Sequence, residues 1–337
     1  MNIGFDAKRA FQNSTGLGNY SRTLIASLAR FFPENAYYLF APRVTGLFDA
    51  GQSGNIHVIT PNHFPANMLK SAWRSKWVTA DLKKNNIGLY HGLSHEVPVG
   101  IAQTGIPSVV TMHDLIFERY PGQFKKTDRI IYREKFTRAC KTSTHIIAIS
   151  GQTKEDLISF YKVPEEKITV CHQSCNPAFG ISLPAETIEA VKKQYALPER
   201  YFLSVGSIIE RKNLLTACKA MKLLREKFDI PLVVIGDGSK YAEMVKKYIA
   251  ENQLQKSIIF LSEKDQAAGL TDGRDLPAIY QGATALIYPN FFEGFGIPIL
   301  EALWSGLPVV SSNVSCMPET AGNAALYADP ADENLFA

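Results

Sequence analysis

The segment of this chain that decides the fold is Phe291–Glu301, FFEGFGIPILE, in which seven residues separate Glu293 from Glu301. Gly294 and Gly296 lack side chains at positions where a ligand could approach the backbone closely. A helix begins directly after them, and the N-terminus of a helix is a favourable site for an anion. The two carboxylates suit hydroxyl groups on either side of that anion, which describes a sugar nucleotide. The backbone N–H groups that would hold the anion belong to Gly294, Phe295, Gly296 and Ile297.

Length and composition indicate a soluble protein of two domains. A chain of 337 residues is too long for one ordinary core, and 46% hydrophobic with 20% charged residues is typical of globular proteins. The formal net charge of +4 is too small to indicate nucleic acid as a partner, and no RNA-binding motif or basic arm is present. The five cysteines are scattered and odd in number, which favours free thiols over disulfides or a zinc site.

The start of the chain predicts a cytoplasmic location. Met1–Asp6 has the pattern of a strand, with no signal peptide before it. No apolar run approaches the length that spans a bilayer. We therefore expect a cytoplasmic protein, with peripheral contact at the inner face of a membrane as a further expectation.

Short apolar runs alternate with longer helical patterns along the chain, which is typical of α/β folds with parallel sheets. The domain boundary is placed at 185/186, within the segment from Asn176 to Pro198. Two Rossmann-like domains, 1–185 and 186–337, would bind a ligand in the cleft between them, at the carboxyl ends of strands. Strands are predicted near residues 1–6, 37–41, 57–59, 89–91, 108–113, 145–150, 168–171, 201–205, 232–236, 258–261, 285–288 and 308–311.

A basic pair follows the first predicted strand of the second domain. Arg211 and Lys212 lie in SVGSIIERKN, residues 204–213, between that strand and a helix. Arginine can bind phosphate oxygens with two N–H groups, and lysine supplies a compact positive charge. The pair therefore suits a diphosphate, and the alternative is a solvated charge pair at the start of a helix.

A glycine-containing loop lies near the start of the first domain. Gly16 and Gly18 belong to TGLGNYSR, residues 15–22, which precedes a helix. The loop from Asp6 is too long for the tight turn of a dinucleotide-binding motif. A binding loop that acts through its backbone and a plain loop that starts a helix both fit these residues.

A histidine stands at the end of another predicted strand of the first domain. His113 and Asp114 close the segment VTMHDL, residues 110–115. His113 could donate a hydrogen bond to a ligand hydroxyl, or it could be a structural residue. The segment LYHGLSHEVP, residues 89–98, also ends a strand, and no role is assigned to it.

Together these motifs resemble those of the retaining glycosyltransferases of family 4, which have the two-domain GT-B fold. The specific part of the resemblance is the Glu-x7-Glu motif with its internal Glu-Gly-Phe-Gly. The resemblance implies that Glu293 holds the donor sugar and Glu301 the ribose. It also implies that Arg211 and Lys212 hold the pyrophosphate of the donor.

The resemblance has departures and further implications. Ile209 replaces the family's proline in the basic element, and Ser207 stands where some members carry an additional arginine. The loop with Gly16 and Gly18 is similar to one that closes over phosphate or acceptor, and His113 is expected near the transferred sugar. Family members usually continue for several tens of residues to a helix that packs on the first domain. The chain ending at 337 is therefore expected to bind nucleotide but to transfer sugar poorly.

The reaction that the resemblance implies is transfer of a hexose to a glycan or lipid-linked acceptor, with Glu293, His113 and Lys212 as catalytic residues. The residues around Arg211 resemble those of mannosyltransferase-like members, which favours GDP-mannose as donor substrate. No Asp-x-Asp sequence ends a strand, and no metal or other cofactor is expected. A sugar-nucleotide-binding protein without turnover and a GT-B-fold epimerase are the alternatives.

One further segment has two interpretations. Residues 70–84 contain aromatic and basic side chains with helix-like spacing. A lipid-linked acceptor would account for such a surface, whereas a helix packed on the core with its cations extended into solvent is the alternative. The residues concerned are Lys70, Trp73, Arg74, Lys76, Trp77, Lys83 and Lys84.

Overall fold

The computed structural model describes residues 1–51, 54–261, 270 and 273–337, and the chain forms two compact units, Met1–Gln173 and Ser174–Ala337. Each unit contains one parallel sheet with helices around it, which confirms the predicted α/β fold class. The units divide between Gln173 and Ser174. The sequence places the boundary at 185/186, where the helix Ala185–Gln194 begins.

The sheet of the first unit has seven strands in the order β3-β2-β1-β4-β5-β6-β7. Its strands are β1 Asn2–Asp6, β2 Ala36–Phe40, β3 Ile56–Ile59, β4 Leu89–Gly92, β5 Ser108–Met112, β6 His145–Ala148 and β7 Ile168–Val170. The helices are α1 Lys8–Gln12, α2 Gly16–Phe31, α3 Lys70–Ala72, α4 Val78–Lys84, α5 Ile116–Arg119, α6 Lys126–Thr142 and α7 Gly151–Tyr161. A π-helical segment, Trp73–Trp77, joins α3 to α4.

The sheet of the second unit has six strands in the order β10-β9-β8-β11-β12-β13. Its strands are β8 Phe202–Val205, β9 Leu232–Ile235, β10 Ile258–Phe260, β11 Ala285–Tyr288, β12 Val309–Ser312 and β13 Leu326–Ala328. The described helices are α8 Ala185–Gln194, α9 Leu214–Leu224, α10 Lys240–Glu251, α11 Leu276–Gln281, α12 Ile297–Trp304, α13 Met317–Ala321 and α14 Glu333–Phe336. All residues of β9 and β11 are buried, as expected for parallel strands covered on both faces.

The strand order determines where ligands can bind. In each sheet the order reverses beside the first strand of that unit, between β1 and β4 and between β8 and β11. Open parallel sheets bind ligands outside the carboxyl ends of strands at such reversal points. Arg211 and Lys212 follow β8 and Glu293 follows β11, so the pairing of these two parallel strands brings the three residues to one edge of the second sheet.

The sequence does not predict β13. This strand has three residues at the edge of the sheet, and Leu326 is 73% exposed. Only Ala328 of its three residues is buried, and its pairing with β12 is set by the sheet already in place.

Candidate functional site

The loop after β8 positions the basic pair. A short 3₁₀ helix, Glu210–Lys212, leads to Asn213, which has a left-handed backbone with φ of 52°. The Asn213 amide donates to the carbonyls of Pro289 (3.0 Å) and Pro330 (2.7 Å). The Phe291 N–H donates to the Arg211 carbonyl at 2.9 Å. The basic loop is therefore hydrogen-bonded to the loop after β11.

Glycines determine how closely the loops approach. Gly206 has φ of 136°, and a Cβ atom there would lie 2.6 Å from Nζ of Lys212. At Gly236, a Cβ would lie 1.9 Å from the Gly206 carbonyl oxygen. Neither glycine was among the predicted site residues, although each directly follows a parallel strand, which is the signal that could have identified them.

Three donors converge on one oxygen of Glu293. Its Oε1 lies 2.7 Å from Nδ2 of Asn290, 3.0 Å from Nη1 of Arg211 and 3.3 Å from Nζ of Lys212. Burial penalises the charge of Glu293, but Lys212 and Arg211 outweigh that penalty and lower the pKa of the carboxyl below its usual value. Glu293 is therefore ionised at neutral pH. Asn290 is 2% exposed and was not among the predicted site residues.

Side chains in α13 and just before it fix the backbone of the loop that precedes α12. The hydroxyl of Ser315 and the thiol of Cys316, just before α13, donate to the Glu293 carbonyl at 3.1 Å each. The Thr320 hydroxyl donates to the Phe295 carbonyl. Gly296 is the N-cap of α12 with φ of 91°, a conformation that favours glycine. The predicted loop and helix start are thus present, and Gly294 and Ile297 lie on either side of this turn.

The second predicted carboxylate has a different environment. Glu301 on α12 accepts a hydrogen bond from the Tyr280 hydroxyl through Oε2 at 2.8 Å. Burial raises the pKa of Glu301 above its usual value, although the Tyr280 hydrogen bond and the charge of Lys212 oppose that shift. The two glutamates therefore have different electrostatic environments. Two cations keep Glu293 ionised, whereas Glu301 is buried and accepts a hydrogen bond from the Tyr280 hydroxyl.

In the first unit, His113 is 4% exposed and both of its ring nitrogens are engaged. Nε2 donates to the Leu93 carbonyl (2.9 Å), and Nδ1 accepts from the side-chain amide of Gln173 (2.8 Å). Burial and the neighbouring His95 lower the pKa of His113 to about 3, so the ring is neutral. The predicted contact of His113 with a sugar would require Gln173 or Leu93 to release it.

Two further histidines, to which the sequence analysis gave no role, lie beside His113. His95 accepts the His113 backbone N–H through Nε2 at 2.9 Å. Nε2 of His91 lies 2.8 Å from the Thr111 hydroxyl, which lies 3.0 Å from the Tyr20 hydroxyl. Burial lowers the pKa of His91 to about 4 and that of His95 to about 3. These side chains form a neutral polar network at the carboxyl ends of β4 and β5.

The two predicted glycines of the first unit belong to the start of α2. A Cβ at Gly18 would lie 1.8 Å from the Asn13 carbonyl oxygen, whereas Gly16 has open space around its Cβ position. The Gly18 N–H donates to the Asn13 side chain (3.0 Å) and to the Thr15 carbonyl (2.9 Å). A glycine is therefore required at position 18 for the backbone to form the start of α2. The N–H of Gly18 is already hydrogen-bonded within the chain.

The aromatic and basic run, residues 70–84, is largely packed on the core. Trp73 is fully buried and donates through Nε1 to Asp81 at 2.6 Å. The Arg74 guanidinium binds Asp6 through Nε at 3.0 Å and Glu96 through Nη1 at 3.1 Å. Trp77 packs against the same core. For these aromatic residues the interpretation as a core-packed helix is correct.

The structure gives two findings on metals and membranes. Across the residues that it describes, no group of three or more His, Cys, Asp or Glu side chains is arranged to hold a metal ion. No helix in the same residues has the length and apolar character required to cross a bilayer.

Comparisons with known proteins agree with this geometry. The model described as "Glycosyltransferase Family 4" matches residues 14–179, and "Glycosyl transferases group 1" matches residues 186–337. The O-antigen chain mannosyltransferase B of Escherichia coli is 28% identical over 334 residues, which cover 94% of this chain and 84% of that protein.

Two further proteins are similar to this chain. An Escherichia coli enzyme, UDP-Gal:alpha-D-GlcNAc-diphosphoundecaprenol alpha-1,3-galactosyltransferase, is 27% identical over 249 residues, covering 69% of this chain and 60% of that protein. The solved structure of Anabaena Alr3699/HepE in complex with UDP and glucose has a TM-score of 0.71 at 15% identity. The matched region covers 100% of this chain and 88% of the Anabaena protein.

Proposed function

Because this chain belongs to the GT-B glycosyltransferases, we propose that it is a retaining enzyme that moves a hexose from a nucleoside diphosphate sugar to an acceptor hydroxyl. The observation that supports this most directly is the convergence of Arg211, Lys212 and Glu293 at the reversal point of the second sheet. The N-terminus of α12 lies on the same loop and adds a partial positive charge.

Arg211 and Lys212 stabilise the departing diphosphate. Negative charge develops on the leaving group as the glycosidic bond breaks, and fixed cations in a buried site stabilise that charge without reorganising. Arg211 is 7% exposed, and its buried Nε has no hydrogen-bond partner among the residues that the structure describes. An unpaired buried donor is costly, and a phosphate oxygen would satisfy it.

Glu293 changes partners when the donor binds. In the structure its Oε1 interacts with both cations as well as with Asn290. A diphosphate carries more negative charge than one carboxylate, so it competes for Arg211 and Lys212. Asn290 then remains as the hydrogen-bond donor that orients Glu293. The carboxylate, released from the cations, can accept hydrogen bonds from hydroxyl groups of the sugar.

Glu301 binds the ribose of the donor. Tyr280 occupies Oε2 at 2.8 Å and fixes the rotamer of the carboxylate, so that Oε1 is presented in a defined direction. A ribose contact is made in the ground state and in the transition state alike, so Glu301 contributes to donor binding more than to turnover.

We propose that the reaction needs no metal ion. The charge that a divalent cation would neutralise on the diphosphate is balanced by Arg211, Lys212 and the N-terminus of α12.

The donor is proposed to be GDP-mannose, and the acceptor a glycan or a lipid-linked glycan at the cytoplasmic face of a membrane. The similarity of this chain to the O-antigen chain mannosyltransferase B supports a mannosyl donor. Its similarity to the Escherichia coli galactosyltransferase, whose name includes a diphosphoundecaprenol-linked sugar, supports a lipid-linked acceptor and makes UDP-galactose the second candidate donor.

Incubation of the protein with GDP-mannose, UDP-galactose and UDP-glucose tests this proposal. We expect a rise in the melting temperature with the true donor, since a ligand of the native state stabilises it by mass action. With a lipid-linked acceptor, nuclear magnetic resonance should show a product that keeps the anomeric configuration of the donor. An altered nucleotide sugar would instead indicate epimerisation, and binding without either product would indicate a non-catalytic protein.

A further inference from the structure

Tyr288, the last residue of β11, has a buried hydroxyl without a hydrogen-bond partner. The residue is 2% exposed, and its hydroxyl makes no hydrogen bond to any residue that the structure describes. Two other buried tyrosines of the same unit are paired, since Tyr201 donates to the Ile279 carbonyl at 2.6 Å and Tyr280 donates to Glu301. An unpaired buried hydroxyl is costly, so Tyr288 is expected to gain a partner when the site changes.

The ring of Tyr288 lies beside the loop that carries Glu293. A Cβ atom at Gly296, the N-cap of α12, would lie 3.9 Å from Cε1 of Tyr288. Burial raises the pKa of Tyr288 well above its usual value, and the charge of Glu293 raises it further. Cys316 adds to that shift and Arg211 opposes it. The hydroxyl therefore stays protonated, and it lies among the charged groups of the candidate site.

The two carboxylate oxygens of Glu293 have different partners. Asn290, Arg211 and Lys212 all approach Oε1. Across the described part of the chain, no residue donates a hydrogen bond to Oε2. Each oxygen of an ionised carboxylate has about two lone-pair sites, so Oε2 has capacity for a further hydrogen-bond donor.

We propose that Tyr288 is a positioning residue for Glu293, and that its hydroxyl donates to this carboxylate when the sugar donor binds. The inference rests on the proposed function, in which the diphosphate draws Arg211 and Lys212 away from Glu293. The carboxylate then loses two of its three partners, and a hydroxyl that donates to an ionised acceptor makes one of the stronger hydrogen bonds in proteins. With Asn290 on one oxygen and Tyr288 on the other, the remaining lone pairs are left for hydroxyl groups of the sugar.

Thermal stability tests whether the hydroxyl lacks a partner before the nucleotide binds. Removal of an unpaired buried hydroxyl costs no hydrogen bond, so Tyr288→Phe should melt at the temperature of the parent chain or above it. Tyr201→Phe is the matched control. It loses the bond to the Ile279 carbonyl and should melt at a lower temperature. A lower melting temperature for Tyr288→Phe would show that a water already holds the hydroxyl, and would overturn the inference.

Isothermal titration with GDP and with UDP tests the bound arrangement without any transfer reaction. Tyr288→Phe should bind the nucleotide that the parent chain prefers about tenfold more weakly, because only the bound state loses a hydrogen bond to a charged group. Tyr201→Phe should bind it like the parent chain. Unchanged affinity in Tyr288→Phe would overturn the inference.

The pH profile of kcat tests the role in turnover. A hydrogen bond to an ionised carboxylate lowers the pKa of that carboxylate, so its loss in Tyr288→Phe should move the acidic limb to higher pH. Tyr201→Phe should keep the limb of the parent chain. The charged and titratable groups that act on Glu293 are Lys212, Arg211, Tyr288 and Cys316.

The outcomes separate this inference from the proposed function. If the parent chain binds nucleotide and transfers sugar, and Tyr288→Phe matches it in affinity and acidic limb, the proposed function stands and the role of Tyr288 fails. If the parent chain binds neither GDP nor UDP, both fail. Affinity and melting temperature decide the role of Tyr288 even where turnover is too slow to measure.

Discussion

At the residue scale, the position of Lys212 depends on a carboxylate and on a glycine. Its Nζ contacts the Glu293 carboxylate at 3.3 Å and occupies space that a side chain at Gly206 would fill. Sequence reasoning could identify Lys212 as a cation after a strand. It could not show that a glycine earlier in the same loop leaves room for the ammonium group, because that contact exists only after the loop folds.

Replacement of this lysine tests the leaving-group assignment. Lys212→Ala should lower turnover by about a hundredfold or more, by comparison with loss of one donor at a developing negative charge. The measurement is the initial rate of sugar transfer at saturating donor, with circular dichroism to establish folding. Lys247→Ala, at a residue that is 76% exposed on α10, is the control. A folded Lys212→Ala protein with nearly unchanged turnover would contradict the assignment.

The pH dependence of donor binding tests the pairing of Glu301 with Tyr280. Burial raises the pKa of Glu301, so donor affinity should fall as the pH decreases through that pKa and the carboxylate becomes protonated. The Tyr280 hydrogen bond lowers the same pKa, and its removal in Tyr280→Phe should move the midpoint to higher pH. At a pH well above the midpoint, Tyr280→Phe should bind the donor about fivefold more weakly than the parent chain, as expected for loss of one hydrogen bond.

Isothermal titration of the nucleoside diphosphate between about pH 4 and 8 measures both effects. Tyr195→Phe is a matched control, because Tyr195 is also buried and its hydroxyl donates to the carboxylate of Asp275 at 2.7 Å. The control should keep the midpoint of the parent chain. If Tyr280→Phe keeps it as well, Tyr280 does not act through Glu301.

At the scale of elements, the two loops of the candidate site are joined by Asn213. This side chain bonds the carbonyls of Pro289 and Pro330, and its backbone has the left-handed conformation that asparagine tolerates. The sequence predicts a loop here but not its cross-links, since Pro289 and Pro330 lie far away in the chain.

Asn213→Ala should therefore destabilise the protein. The buried Pro289 carbonyl loses the Asn213 donor and the Pro330 carbonyl keeps only the Thr216 hydroxyl, so we expect the free energy of unfolding to decrease by about 1–3 kcal/mol. Urea denaturation followed by tryptophan fluorescence measures this change. Asn323→Ala, at an exposed position, should stay close to the parent chain. A decrease as small as that of the control would show that these bonds contribute little.

At the scale of the whole molecule, the proposed chemistry depends on fixed cations in place of a metal ion. Turnover should persist in excess EDTA, because Lys212, Arg211 and the N-terminus of α12 supply the positive charge. Transfer rates before and after chelation, and after addition of Mg²⁺ or Mn²⁺, provide the test. A loss of turnover that either ion restores would rule out the metal-independent mechanism.

The sequence by itself determined the fold class and the chemical types at the candidate site. The alternation of apolar runs with helical patterns predicts parallel sheets, and this pattern can be recognised without knowing how the elements pack. The spacing of Glu293 and Glu301 is likewise a local property of one turn and one helix. Tertiary structure alone decided the partners of those residues. Arg211 and Lys212 reach Glu293 because β8 and β11 are neighbours, and Asn290 and Tyr280 were missed because their contacts depend on how loops and helices pack. It also decided that Trp73 lies inside while Phe64 lies outside, because burial depends on which elements cover a side chain, and a local pattern does not contain that information.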